Sequence, residues 1–338
     1  MKPVLKTKNS LASASAAFAL LLSGCVALDG GAEGEATETA EATVEDTGEA
    51  AMDDAKEMTE QAVEEVKEVV AEVTEMTAVA KLAAVLAAQP EDVQARYDAR
   101  RPAETLALFG IEPGMTVAEA LPGGGWYSKI LLPYLGEEGT LIGAHYPDDL
   151  YPRFGFGDEW AAARVEATAN WPNQAAEWDV ESGAKIASTF LTDMPEGATG
   201  QVDAVLFIRA LHNLNRFTND ETPYMGDTLS ETFRVLKPGG IAGVVQHRAP
   251  DENSDAWADG SNGYLKEASV IAAFEAAGFE LVDASDLNYN AADMPTESDF
   301  VWRLPPSRNG TEEGTPERAA VDAIGESSRM TLKFRKPA

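Results

Sequence analysis

The chain has 338 residues, with 57 acidic and 26 basic side chains and a net charge of −31 at neutral pH. This excess of acid argues against a nucleic-acid partner, because phosphate backbones are bound by lysine and arginine. The single cysteine, Cys25, excludes an internal disulfide and a cysteine-rich metal site, and no histidine spacing favours a metal.

The N-terminal segment has the features of an export signal. Three lysines and no acid occur in the first ten residues, and the apolar stretch Leu11–Leu22 is too short for a permanent membrane helix. It ends in Leu22-Ser23-Gly24-Cys25, which resembles the lipobox of bacterial lipoproteins, whose cysteine is lipidated. We therefore expect residues 1–24 to be a lipoprotein signal peptide and Cys25 to carry the lipid, such as palmitate.

A lipidated Cys25 predicts an exported protein anchored to a bacterial cell membrane. Val26 follows the cysteine in place of an aspartate, which favours the periplasmic side of the outer membrane in a Gram-negative cell. The alternative is an ordinary secretory signal with an incidental cysteine.

Residues 25–80 are predicted to be an acidic tether. Seventeen acidic side chains and two lysines occur in residues 26–80. Val26 to Ala50 has almost no large apolar side chains, so its burial cannot offset the entropy cost of ordering. From Met52 to Ala88 apolar residues recur at helical spacing, which predicts a helical stalk or a helix packed on the domain. Residues 81–338 are then expected to form one domain.

Helices and strands alternate along the rest of the chain. Helical spacing predicts helices at Pro90–Phe109, Trp126–Leu135, Trp160–Ala169, Asp227–Leu236 and Lys266–Ala277. Apolar runs bounded by turns predict strands at Thr116–Leu121, Thr140–His145, Lys185–Leu191, Val202–Ile208, Ile241–Gln246, Phe279–Ala284 and Met330–Arg335. This alternation is typical of an α/β, Rossmann-like doubly wound sheet with helices on both faces. The irregular segment Asp286–Ser328 is long enough to be a lid or a binding loop.

The first strand leads into three consecutive glycines, Gly123, Gly124 and Gly125. Glycine tolerates positive φ and lets a ligand approach bare backbone. The start of the following helix offers free N–H groups to a carboxylate or phosphate. Such a strand–turn–helix unit is the nucleotide-binding corner of open α/β sheets, although a tight loop that binds nothing can have the same residues.

Several motifs, in order, resemble those of class I S-adenosylmethionine-dependent methyltransferases. They are the segment from Glu119 to Gly125, Asp203–Leu214 at the fourth strand, the FRVLKPGG motif Phe233–Gly240, and Ala272–Leu281. The end of the chain resembles a group of uncharacterised, often exported, predicted methyltransferases. The resemblance covers about residues 90–338. It implies a mostly parallel seven-stranded sheet with an antiparallel last strand, S-adenosylmethionine as cofactor, and methyl transfer to a small-molecule substrate.

The resemblance also implies a cofactor site at the carboxyl ends of the strands. Glu119 would organise the turn beside the amino-acid end of the cofactor, although Leu121 stands where the family has its first glycine. His145 or Asp148 takes the place of the ribose-binding acid, and Asp193 that of the adenine partner. Each aspartate is equally well explained as a loop or helix-cap residue. The residues so implied are Glu119, Gly123, Gly124, Gly125, His145, Asp148, Asp193 and Arg209.

The three histidines of the chain, His145, His212 and His247, all come at or just past the end of a predicted parallel strand. Ligands of open α/β sheets bind at that edge. Imidazole has the intrinsic pKa of a general base. We predict that His212 is the base or orients the acceptor, with Asn213 and Arg209 shaping the site and His247 at the same rim. A structural histidine bonded to a loop carbonyl is an equal alternative for His212.

Three functions fit these features. A methyltransferase is favoured because the motif set is largely retained, although the lipobox directs export and S-adenosylmethionine is made in the cytoplasm. The second is a membrane-tethered binding module that has lost methyl transfer, which Leu121 and the incomplete ribose motif favour. The third is an exported metal-dependent enzyme in which the three histidines converge. In any of them, Trp257, Tyr264 and Trp302 could wall an aromatic or lipidic ligand.

Overall fold

The computed structural model describes residues 77–179, 181–219 and 221–338, and scattered helical residues from Lys56 to Thr74. The chain divides into two compact units, Met1–Val69 and Val70–Ala338. The predicted signal peptide, Cys25 and the Val26–Ala50 tether lie outside the described residues. Within the described part of the chain, no helix combines the length and the apolar character that crossing a membrane requires.

Seven strands form one sheet in the second unit. They are β1 Thr116–Ala120, β2 Thr140–His145, β3 Lys185–Phe190, β4 Val202–Ile208, β5 Leu236–His247, β6 Glu280–Ser285 and β7 Arg329–Arg335. Their order across the sheet is β3-β2-β1-β4-β5-β7-β6. Strands β1 to β5 pair in parallel, and β7 is antiparallel to both β5 and β6. The predicted mostly parallel α/β sheet with an antiparallel last strand is therefore confirmed.

Helices cover both faces of this sheet. The helices in this part of the described chain are α1 over 77–88, α2 Glu91–Gln94, α3 Tyr97–Arg100, α4 Pro102–Phe109, α5 Ser128–Leu135, α6 Asp158–Ala176, α7 Leu211–Phe217, α8 Tyr224–Val235, α9 Glu267–Ala276 and α10 Pro316–Ile324. Side chains alternate between the faces along each strand. Val117 packs with α4 and α5 on one face, and Ala118 belongs to the core with α8 and α9 on the other. Each face of the sheet thus has its own apolar core.

Several parts of the structure differ from the predicted elements, including β5, which begins at Leu236 and not at Ile241. The helix predicted at Pro90–Phe109 is broken into α2, α3 and α4, because Arg101 is left-handed (φ 41°) and precedes Pro102. The seven residues of α7 are too few to show a helical period. Helix α10, which the sequence analysis did not predict, has no fully buried side chain; Thr315 caps it and Pro316 begins it.

Candidate active site

A cavity of about 620 Å³ opens at the carboxyl ends of β1, β4 and β5. Leu121 and Arg209 line it directly after β1 and β4, and His247 lines it as the last residue of β5. The first turn of α7 adds His212 and Asn213. The strand order reverses between β1 and β4, which is the position where open α/β sheets bind their ligands. The structure thus brings together four of the predicted site residues, Arg209, His212, Asn213 and His247.

Leu121 and Arg209 end their strands in the same way. The N–H of Leu121 still donates to the carbonyl of Ala144 in β2, and the N–H of Arg209 to that of Val245 in β5, each at 2.7 Å. Both residues then turn the chain in the left-handed conformation, with φ of 52° and 60°. That conformation costs a residue with a Cβ roughly 1–2 kcal/mol. It also explains why Leu121 can occupy the position of a family glycine: the turn keeps a glycine-like backbone.

At this left-handed position a glycine variant should be more stable than an alanine variant, which is the reverse of the usual order. We expect the free energy of unfolding of Leu121→Gly to exceed that of Leu121→Ala by about 1 kcal/mol, because only glycine is unstrained at this φ. Urea unfolding followed by circular dichroism measures both. Ala120→Gly, in the extended strand just before, is the control and should lower stability. An alanine variant at Leu121 as stable as the glycine variant would contradict the strained turn.

His212 is held by the protein at both ring nitrogens. Its Nε2 lies 3.2 Å from the side-chain amide of Asn213, and its Nδ1 lies 3.5 Å from Gln246 Nε2, which also donates to the Gly263 carbonyl at 3.0 Å. Nδ1 therefore accepts, and a neutral ring carries its proton on Nε2. The Oδ1 of Asn213 is buried without a hydrogen-bond partner in the described chain. If the amide oxygen and nitrogen of Asn213 exchange places, Oδ1 accepts the hydrogen bond from His212 Nε2–H. This arrangement orients His212 and leaves it no nitrogen for a substrate proton.

His247 has one engaged nitrogen and one that the described chain leaves unbonded. Its Nδ1 lies 2.6 Å from the Ser327 hydroxyl oxygen, and its ring centroid is 5.8 Å from that of His212. Burial lowers the pKa of His212 to about 4 and the pKa of His247 well below 6.5, the latter helped by the neighbouring His212 and arginines. Both rings are therefore uncharged at neutral pH, and only His247 has a ring nitrogen, Nε2, that is left to accept a proton.

Four arginines meet beside the cavity around one carboxylate. Arg96, Arg100 and Arg329 form ion pairs with Glu326 at 2.6, 3.3 and 3.3 Å. Burial and mutual repulsion lower the pKa of Arg100 to about 9 and that of Arg209 to about 10. Nη1 of Arg100 and Nε of Arg209 are buried with no hydrogen-bond partner in the described chain. This arginine cluster has an excess of positive charge and free donors, which suits an anionic ligand.

Glu119 lies close to the arginine cluster, in β1. It is 3% exposed and accepts a 2.6 Å hydrogen bond from the Ser128 hydroxyl at the start of α5. Burial raises its pKa to about 7, against the opposing effects of Ser128 and the Arg209 charge. Its position below the glycine turn is the one that the resemblance implies.

The glycine turn is open at one end and covered at the other. Gly123 and Gly124 are exposed, and a Cβ on Gly124 would meet nothing within 4 Å. Gly125 is buried under the ring of Trp178, which occupies the space that a Cβ would need. None of the three glycines lines the cavity of β1, β4 and β5.

His145 ends β2 but does not reach the cavity. Side chains two residues apart share a face of a strand, and Gly143 makes room there for the ring of Trp171 in α6. His145 packs against that same ring, with centroids 6.0 Å apart, and its buried Nε2 has no partner in the described chain. Burial lowers its pKa to about 4.

Other predicted residues are placed apart from the cavity. Asp148 and Asp193 line two separate surface depressions. Trp257 and Tyr264 stack on each other in a small buried core, and only Trp302 of the three predicted aromatic walls lines the cavity. The three histidines do not converge, and no group of three His, Cys, Asp or Glu in the described residues is arranged to hold a metal.

Several site residues were not found from the sequence. Arg100, at the end of α3, belongs to the arginine cluster, and no motif marks it. Glu326 and Ser327 come shortly before β7, whose antiparallel start pairs with the end of β5. Phe154 and Phe156 also line the cavity. Their aromatic pattern directly after β2 is a signal that could have indicated them.

Comparison with known proteins places the chain near methyltransferases. No family model matches it. A sterol 24-C-methyltransferase of Gibberella zeae is 33% identical over 94 residues, which is 24% of this chain and about a quarter of that enzyme's length.

Solved structures with methyltransferase folds are similar to the chain at low identity. The [4+2]-cyclase SpnF is 18% identical over 71% of this chain and 80% of its own, with a TM-score of 0.44. The geranyl diphosphate C-methyltransferase of Streptomyces coelicolor A3(2), in complex with Mg²⁺, geranyl diphosphate and S-adenosyl-L-homocysteine, is 16% identical over 71% of this chain and 78% of its own, with a TM-score of 0.44.

Proposed function

We propose that this protein is an S-adenosylmethionine-dependent methyltransferase that acts on a small molecule. The observation that carries the proposal is the unpartnered donor of Arg209 near Glu119, together with the unpartnered donor of Arg100 in the same arginine cluster. They lie at the strand end where the sequence has the family's acidic and glycine motif. The open backbone at Gly124 supports it.

The residues present fit the amino-acid end of that cofactor. Its carboxylate suits the free donors of Arg100 and Arg209, and its ammonium group suits the buried carboxyl of Glu119. At the ribose end, the buried and unpartnered Nε2 of His145 stands where the family has an acid. Arg100, Arg209, Glu119 and the glycine turn are therefore the residues that would hold the cofactor.

When bound, S-adenosylmethionine supplies an electrophilic methyl group. The chain's own side chains align the acceptor, exclude water and remove the acceptor's proton. His247 Nε2 is the better candidate for that proton, because His212 is bonded at both nitrogens. His212 and Asn213 then position the acceptor, and Ser327 orients His247.

Calorimetric titration of the full chain in detergent tests the cofactor. We expect S-adenosylmethionine and S-adenosylhomocysteine to bind saturably at one site. Adenosine, which lacks the amino-acid end, should bind at least about tenfold more weakly, since charge-assisted hydrogen bonds would be missing. The absence of saturable heat with S-adenosylhomocysteine at millimolar concentration would refute the proposal.

A labelling experiment tests the base. The chain is incubated with methyl-labelled S-adenosylmethionine and a small-molecule extract of the cell envelope. His247→Gln should bind S-adenosylhomocysteine as the unaltered protein does and transfer no label. Full label transfer by that variant would remove His247 from the role of base.

A second candidate function is a binding module for another small anion. Trp178 covers Gly125, and Asp148 and Asp193 lie outside the cavity, which leaves the nucleoside end without its usual partners. This candidate replaces the first if the calorimetric titrations give no cofactor binding.

We further propose that the protein is exported and anchored to a bacterial membrane through a lipid on Cys25. The lipobox-like ending of the N-terminal segment supports this. Cys25→Ser should move the protein from the membrane fraction to the soluble fraction of cells that export it. A variant that stays with the membrane after a high-salt wash would contradict the anchor.

A further inference from the structure

The mouth of the cavity has an aromatic side chain that the protein does not bury. Phe156 is 67% exposed and stacks on Phe154, with ring centroids 6.3 Å apart and an interplanar angle of 11°. Both rings line the cavity. The segment Val301–Pro306 adds further apolar lining, including Trp302. Large apolar side chains left in water at a cavity commonly mark a binding surface for apolar groups.

Arg216 lies at the same mouth and has no counter-ion among the residues that the structure describes. Arg216, at the end of α7, is exposed and lines the cavity, with its guanidinium 4.7 Å from the centre of the Phe217 ring. Within the described chain no carboxylate lies within 4.0 Å of it, whereas the only acid that lines the cavity, Glu326, is already paired with three other arginines. The chain has more than twice as many acidic as basic residues. A shortage of carboxylates therefore does not explain why this arginine has no ion-pair partner in the described chain.

We propose that the methyl acceptor is an organic anion with an apolar, ring-containing body. The body packs against Phe154, Phe156 and Trp302, and a carboxylate or phosphate of the acceptor pairs with Arg216. The atom that receives the methyl group lies toward His247. This assignment rests on the proposed methyltransferase function and adds the class of its substrate.

We assign Arg216 and not Arg209 to the acceptor because Arg209 is buried and Arg216 is exposed at the mouth of the cavity. Arg209 lies in the arginine cluster near Glu119, where the cofactor's carboxylate fits. Arg216 lies at the far end of α7 from Arg209, is exposed, and lines the same cavity as Phe156. A guanidinium at the mouth can pair with an anionic group while the apolar body of the same molecule enters the cavity.

Two probes that differ in one charge test the proposal. Binding of 2-naphthoate and of neutral 2-naphthamide to the full chain is measured by calorimetry in the presence of saturating S-adenosylhomocysteine. We expect the carboxylate to bind about tenfold more tightly than the amide. Arg216→Gln should reduce naphthoate affinity to that of naphthamide and leave naphthamide unchanged. Phe156→Ala should weaken both probes equally.

Lys185→Gln is the matched control, since it removes one exposed positive charge at the amino-terminal start of β3, the opposite edge of the sheet. It should change neither affinity. Equal binding of the two probes, an Arg216→Gln protein that still prefers naphthoate, or displacement of S-adenosylhomocysteine by naphthoate would each overturn the acceptor assignment. The titration with S-adenosylhomocysteine alone tests the proposed function, so failure of the acceptor assignment and failure of the proposed function can be distinguished.

Discussion

Replacing Arg209 by glutamine is expected to weaken the binding of S-adenosylhomocysteine by about 10- to 100-fold. The reason is that a buried, charge-assisted hydrogen bond to a carboxylate contributes roughly 1.5–3 kcal/mol. The Nε of Arg209 is a buried donor without a partner in the described chain, and Arg209 lines the cavity and lies near Glu119. Calorimetric titration of the full chain measures the change directly.

The controls separate lost binding from lost folding. Arg209→Gln removes one of four positive charges that share Glu326, so its unfolding free energy should equal or exceed that of the unaltered protein. Arg216→Gln, the same substitution at the mouth, should leave S-adenosylhomocysteine affinity within about twofold, because an exposed arginine at the rim contributes little to a deeper site. A folded Arg209→Gln protein with unaltered affinity would show that this arginine does not hold the cofactor.

Gly260→Ala is expected to lower the free energy of unfolding by about 3 kcal/mol or more. Gly260 has a φ of 100°, and a Cβ there would overlap the carbonyl oxygen of His212. The obstacle is backbone at the start of α7, which cannot rotate away as a side chain can. The substitution therefore combines backbone strain with overpacking, each of which costs roughly 1–3 kcal/mol.

Gly155→Ala measures the cost of backbone strain without a steric overlap. Gly155 also has a positive φ, 76°, but a Cβ there would meet nothing within 4 Å. Its cost should stay near about 1 kcal/mol, and urea unfolding of the two variants compares them. Equal losses of unfolding free energy in the two variants would mean that the His212 backbone moves away from the added Cβ at little cost.

The strand ends were the most predictable part of the site. Parallel strands place their carboxyl ends along one edge, so residues directly after β1, β4 and β5 had to lie near each other. Leu121, Arg209, His212 and His247 do so. His145 was expected at the same rim and is at the correct edge, but the two-residue alternation of β2 turns it toward Trp171.

The sequence by itself determined the α/β sheet, the bounds of every strand except β5 to within one residue, and the edge at which polar side chains collect. These follow from local periodicity and from turns, which depend on residues near each other in the chain. Only the tertiary structure decided that Arg100, Arg216, Glu326 and Ser327 join that edge and that Asp148 and Asp193 do not. Packing between segments far apart in the chain sets those positions, and no local pattern records it.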